Sequence, residues 1–242
     1  MSINDETPMA NAIQVKPVRE QIIDLLRTLI YKGVYQPGQE LRQELLAQQL
    51  GVSRMPVREA LLALETENLV ELRPHRGAVV MPIDESFITD YYDMRIMLEG
   101  EAAYLACPYL TAEDDLYLKH HLEQETEAFT SSDHTALRKL NADLHRFIWE
   151  HSHNQRLIKT MNQYYNMSPS SCYKPVMNQN TFAKNVFSQH NEIIRELLSR
   201  DADASRNAMR RHEEASKQRT LALYRRQQEE NGKADTISHE SR

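Results

Sequence analysis

The sequence predicts a mainly α protein in two parts, an N-terminal winged helix-turn-helix followed by an all-α six-helix bundle. Three observations carry this reading. Across residues 15–81, three helical patterns precede two short β-prone runs. From residue 84 to about 228 the β signals vanish and helix follows helix. The 242 residues, 40% hydrophobic and 26% charged, have the composition of a soluble chain with room for two domains.

Taking the elements in order, residues 1–14 are polar and expected to fray. "VREQIIDLLRTLIYKG" sets Val18, Ile22, Leu25, Leu26, Leu29 and Ile30 at helical spacing and stops at Gly33. "YQPGQEL" reads as a turn around Pro37 and Gly38. "RQELLAQQLG" is a second helix closed by Gly51, and a third runs from Arg54 through Leu61, Leu62, Leu64 and Glu67. "LVELR" and "GAVVM" then form a hairpin around Pro74, His75 and Arg76.

The third helix carries the first chemical signal. Pro56 falls in its first turn, where a missing N–H costs no intrahelical bond. Ser53 is the expected N-cap, with its hydroxyl directed at the Met55 N–H. Arg54 and Arg58 lie four apart, on one face. A helix end presenting two forked cations suits an anion. Net charge is −6, so any such site is local rather than a property of the whole surface.

After the linker "PIDES", Asp84 is the expected cap of a long helix through "FITDYYDMRIMLEGEAAYLAC". Thr111 and Asp114 make a capping box for the next. Helices follow over about Thr135 to Glu150, over "QRLIKTMNQYYNM" with a break near "SPSSCYKP", and over "AKNVFSQHNEIIRELLSR". The last is "ASRNAMRRHEEASKQRTLALYRR", with "QQEENGKADTISHESR" expected as a disordered tail.

Of ten histidines, three fall on apolar stripes of three different helices. His145 lies with Leu137, Asn141, Leu144 and Ile148; His190 between Phe187 and Ile193; His212 with Ala208, Met209 and Ala215. Neutral imidazole ligates zinc and nickel-like divalent ions, and facing bundle helices are where such sites are built. The same pattern fits three unrelated core histidines, each bonded to a neighbour. His120, His121, His151 and His153 sit among charged residues and are expected in solvent, as are Glu192, Glu213 and Glu214. Arg95 and Glu99, four apart, read as a surface pair on spacing alone.

The stretch "YQPGQEL…LAQQLGVSRMPVREALLALETENLVELRPHRGAVV" closely resembles the DNA-binding domain of GntR-type bacterial transcription regulators. Asn68 stands where that family usually has glycine. The resemblance implies that Arg54 and Arg58 read bases in the major groove and that Ser53, Met55 and Pro56 meet phosphates or a thymine methyl. His75 and Arg76 at the wing tip are implied to reach the minor groove. "YYDMRIMLEGEAAYLA", "LNADLHRFIWEHSHNQRL" and "SQHNEIIRELLSRDADASRNAMRRH" resemble the effector-binding FCD domain of the FadR subfamily. That resemblance implies one divalent metal on Asn141, His145, His190 and His212, with Arg95 facing an effector carboxylate. Asn141 replaces the commoner aspartate and Leu144 a phenylalanine.

The leading expectation is a repressor that binds a palindromic DNA operator as a homodimer and responds to a small organic acid. A direct divalent-metal sensor and, third, a helical metalloenzyme are the alternatives; the enzyme lacks an evident general base beside the ligands, since Glu192, Glu213 and Glu214 fall on polar faces. Two cysteines without a paired motif suit a reducing cytosol, and no segment is apolar enough to span a bilayer, so the location expected is cytoplasmic.

Overall fold

The computed structural model describes residues 16–74, 77–166 and 179–240. The expected fraying at 1–14, the wing-tip residues His75 and Arg76, and the break near 168–175 lie outside these. The chain divides into two units between Pro82 and Ile83.

In the first unit, α1 (Val18–Tyr31) turns Ile22, Leu26 and Ile30 inward, the four-residue spacing of one helix face. The helix α2 (Gln43–Leu50) ends on Gly51 at φ 66°, a left-handed cap that glycine adopts without a Cβ penalty. Next, α3 (Arg54–Thr66) buries Val57, Ala60, Leu61 and Leu64 and exposes its opposite face. Asn68 follows at φ 56°, the backbone state that its glycine-like role requires. Arg27 on α1 forks onto Glu67 just past α3, through Nε and Nη2 at 2.8 and 2.7 Å, and so fixes one helix against the other.

Two details differ from the sequence reading. Ser53 precedes α3 in an extended conformation but its side chain makes no cap bond. Pro56 removes the N–H at the position a serine cap most often serves, which leaves the hydroxyl uncommitted. The segment read only as a turn contributes a short strand, β1 (Glu40–Leu41), beside β2 (Val70–Arg73) and β3 (Gly77–Val80). The antiparallel order is β1-β3-β2, with Leu41 opposite Ala78 and Leu72 opposite Ala78 on its other side. Gly77, at φ 120°, lets β1 close in. A Cβ there would lie 2.1 Å from the Leu41 carbonyl oxygen.

The second unit holds six α-helices among the described residues. Asp84 caps α4 (Glu85–Ala106) by accepting from the Phe87 N–H at 2.9 Å. A 3-10 turn at Cys107–Tyr109 leads to α5 (Ala112–Thr130), which starts on the expected Thr111–Asp114 capping box. Then come α6 (His134–His151), α7 (Gln155–Asn166), α8 (Gln179–Ser199) and α9 (Ala202–Glu240). Leu118, Leu144, Ile148, Met161, Ile193 and Met209 form part of one core to which all six of these helices contribute, α4 through Ala102 and Ala103. The segment expected as a tail is instead a continuation of α9 to Glu240. It contains no proline, so its backbone keeps the helical ladder although its sequence offers no apolar stripe.

Candidate functional site

The start of α3 is open to solvent. Ser53, Arg54, Met55 and Arg58 are exposed, Met55 by 62%, while Pro56 is half-buried beside the wholly buried Val57. Arg54 is paired with Glu44 on α2, both side chains largely in solvent. Such exposed pairs contribute little and exchange readily for another anion.

In the helical unit, α6, α8 and α9 bring His145, His190 and His212 together, exposed by only 1%, 0% and 3%. Their ring centroids are 6.1 Å (His145–His190), 5.2 Å (His145–His212) and 4.9 Å (His190–His212) apart. One ring nitrogen of each lies within 4.8 Å of the other two. The three rings therefore share one place in the core, each also bonded to a neighbour. Each Nδ1 has an oxygen partner: Glu99 for His145, Glu125 for His190 at 2.5 Å, and Gln189 for His212 at 3.1 Å. The His190 Nε2 atom is buried with no partner. An oxygen on one ring nitrogen fixes the tautomer and turns the other nitrogen toward the shared centre, as in metal-ligating histidines.

Burial holds the His212 imidazole far below its ordinary range, reinforced by the neighbouring His190 and His145 rings. Burial also lowers His145, outweighing the opposite pull of Glu99. Both rings are therefore neutral near pH 7, the form that ligates. Asn141, one turn before His145, donates its amide to the Tyr165 hydroxyl at 3.4 Å.

Arg95 and Glu99 are not a surface pair. Both are buried on α4, which presents them to the core beneath Tyr91 and Tyr92. Arg95 donates through Nε to Glu99 at 2.8 Å and through Nη2 to Glu213 at 2.9 Å. Glu99 also accepts from the Trp149 indole at 3.3 Å. Burial pushes the Glu99 carboxyl up, but Arg95 and His145 outweigh it and bring it down to about 2. Burial raises the Glu213 carboxyl to about 8, helped by Glu99 and opposed by Arg95.

Glu213 departs furthest from its expected polar face. It is 1% exposed, with Oε1 3.8 Å from His145 Nδ1 and 3.9 Å from His212 Nε2. His121, also expected in solvent, is 2% exposed. His151 is half-buried and holds Asp114 at 3.0 Å, whereas His153 is exposed. Glu99, Glu125 and Glu213 are thus partners that sequence reasoning missed. The available signal was spacing: Glu99 follows Arg95, and Glu125 follows His121, by one helical turn. Which faces met in the core was not contained in that spacing.

Residues 18–80 match the bacterial regulatory proteins of the gntR family, and residues 90–215 match the FCD domain. The chain is 28% identical over 235 residues to the Uxu operon transcriptional regulator of Escherichia coli, covering 88% of this chain and 90% of that protein. It is 27% identical over 206 residues to the transcriptional repressor RspR of the same organism, covering 81% and 86%. The solved structure of E. coli McbR/YncC superposes with a TM-score of 0.64 over 86% of this chain and 97% of that one, at 24% identity, which supports the fold. No helix among the described residues is long and apolar enough to cross a membrane. With the FCD match spanning more than half its length and the gntR match covering the winged unit, the chain belongs to the gntR family as a transcription regulator with an FCD domain, a family of regulators rather than enzymes.

Proposed function

We propose that this regulator is a cytoplasmic repressor that binds a palindromic operator as a homodimer and releases it when a small carboxylate effector occupies a metal site in the helical unit. The observation that carries the switch is the convergence of three buried imidazoles from three helices, with ring nitrogens turned to one centre. The description of RspR as a repressor favours that sign of control.

At the DNA, Arg54 and Arg58 each fork onto guanine O6 and N7, while the Ser53 hydroxyl and the first-turn amides meet phosphate. Met55 and Pro56 pack against a thymine methyl, and His75 and Arg76 approach the minor groove. The exposure of Ser53, Arg54, Met55 and Arg58 on one helix end supports this.

His145, His190 and His212, with Asn141 beside them, would hold a divalent ion of the zinc or nickel type. The residues fit it, since burial holds the His145 and His212 imidazoles neutral and the His190 Nε2 atom is buried without a partner. When bound, such an ion supplies a Lewis-acid position for a carboxylate oxygen. Arg95 takes the far end of the effector, and the helices it spans shift the half-site spacing of the dimer.

The test is the anisotropy of labelled operator duplex, selected from random sequence, with protein that is chelated, metal-loaded, and metal-loaded with sugar acids or short carboxylic acids. An acid that shifts operator affinity by about 5- to 150-fold, only in loaded protein, is the expected result. No shift with any acid overturns the effector reading. A second reading, direct metal sensing, is favoured by Arg95 already holding two internal carboxylates, Glu99 and Glu213. It requires that chelation alone changes operator binding and that one ion alone restores it.

A further inference from the structure

Helix α5 supplies none of the three histidines, yet it buries two ionisable side chains. His121 and Glu125, 2% and 1% exposed, share the inward stripe of Leu118 and Ala128. A carboxylate that deep is costly unless another group answers it. Glu125 is answered from α8, 65 residues away, where the wholly buried His190 donates from Nδ1 to its Oε1 at 2.5 Å. The three oxygens that anchor the histidines are not equivalent. Glu99 divides its charge among His145, Arg95 and the Trp149 indole. Gln189 offers His212 only an uncharged amide oxygen, at 3.1 Å. Among the described residues Glu125 hydrogen-bonds to His190 alone, and its Oε2 atom is buried with no partner. Its charge is therefore directed at one ring, whose Nε2 is itself buried and unpartnered.

We propose that Glu125 is the principal positioning residue of the histidine site. It selects the His190 tautomer with the proton on Nδ1, leaves the lone pair on Nε2, and holds that nitrogen toward the centre shared with His145 and His212. This rests on the reading that these three histidines hold the ion; Glu125 itself is not a ligand. A charged acceptor on the far nitrogen also makes the imidazole a better donor to the ion. The site thereby gains a fourth helix: α6, α8 and α9 carry the ligands, and α5 fixes the direction of one of them. A leucine at 125 would continue the apolar stripe with no charge to bury, so packing alone does not call for a carboxylate there.

The experiment titrates cobalt(II), alone, into the full-length chelated protein and into four variants: Glu125→Leu, Glu125→Gln, His121→Leu and His190→Ala. Calorimetry gives the affinity, and nitrogen-15 NMR of the metal-free protein gives the His190 tautomer. Glu125→Leu is expected to bind cobalt about 10- to 100-fold more weakly and to show His190 partly protonated on Nε2 instead of Nδ1. Glu125→Gln keeps the size and an acceptor oxygen, so it retains the Nδ1 tautomer and recovers part of the affinity. His121→Leu alters the same stripe of α5 without touching the anchor, and is expected to bind within about twofold of wild type. Wild-type affinity and tautomer in Glu125→Leu, or an equal loss of affinity in His121→Leu, overturn this proposal while leaving the histidine site standing. Should Glu125→Leu fail to fold, Glu125→Gln decides, and affinity within twofold of wild type overturns it. Absence of cobalt binding by the wild-type protein, or binding untouched by His190→Ala, overturns the histidine site itself and this proposal with it.

Discussion

Arg95 and Glu213, 118 residues apart in sequence, meet at 2.9 Å in the core of the helical unit, with side chains exposed by only 7% and 1%. The contact ties α4 to α9 through charge rather than apolar packing alone. Tyr92 extends the same seam, its hydroxyl 2.9 Å from that of Thr220.

Removing one partner of such a pair leaves the other charge buried. Arg95→Met is expected to destabilise the protein by about 3–5 kcal/mol, because Glu99 then loses its cation. Adding Glu213→Gln to that variant costs less than it does in the wild type, because the Arg95–Glu213 contact it would disturb is already gone. Urea unfolding of the two single variants and the double variant measures this; strictly additive effects reject the coupling.

Arg58→Ala is expected to abolish operator binding while leaving helicity and dimer mass unchanged. A bidentate arginine–guanine contact contributes about 1–3 kcal/mol of discrimination, and a dimer loses two of them. Segment 40–80 carries about as many acids as bases, so non-specific attraction does little to mask the loss. Gel-shift titration at fixed salt decides it, and undiminished affinity sinks the assignment of α3 as the reading helix.

Gly77→Ala is expected to unfold the wing at lower temperature. Its φ of 120° disfavours any side chain, and the new Cβ would sit 2.1 Å from the Leu41 carbonyl oxygen, a rigid backbone neighbour. A cost of about 3 kcal/mol or more follows from strain and overpacking together. Thermal melting compares the variant with wild type; an unchanged midpoint means that β1 gives way freely.

The pH prediction concerns Asp114. Burial pushes its carboxyl up, but the Thr111 N–H and hydroxyl and the His151 imidazole outweigh this and hold it below its ordinary 3.8. The folded value is thus the lower one, so the unfolded chain takes up the proton first as pH falls. The stabilisation is complete above pH 3.8 and is lost as pH drops through the depressed folded value. Asp114→Asn should lower stability at neutral pH by about 1 kcal/mol, the usual worth of such a cap. It should also flatten the acid limb of the stability curve, as read by urea midpoints from pH 7 to about 2. Parallel curves for the two proteins speak against it.

The sequence by itself determined most of the helices, the caps at Asp84 and Thr111, and the winged order. Those features are local: Asp84 and Thr111 cap the helices that follow them, Gly51 and Asn68 take left-handed backbone, and one-turn spacing sets Arg54 beside Arg58. Periodicity also turned His145, His190 and His212 inward, because each shares a stripe with leucine, isoleucine or methionine. Only the tertiary structure decided what waits for them there. Glu99, Glu125 and Glu213 look like solvent-facing acids in their own helices, since a carboxylate's burial depends on which cation or imidazole another helix brings to it. The strand β1 follows the same logic. Its two residues carry no periodic signal, and they become a strand only because Gly77 leaves room for Leu41 to pair with Ala78.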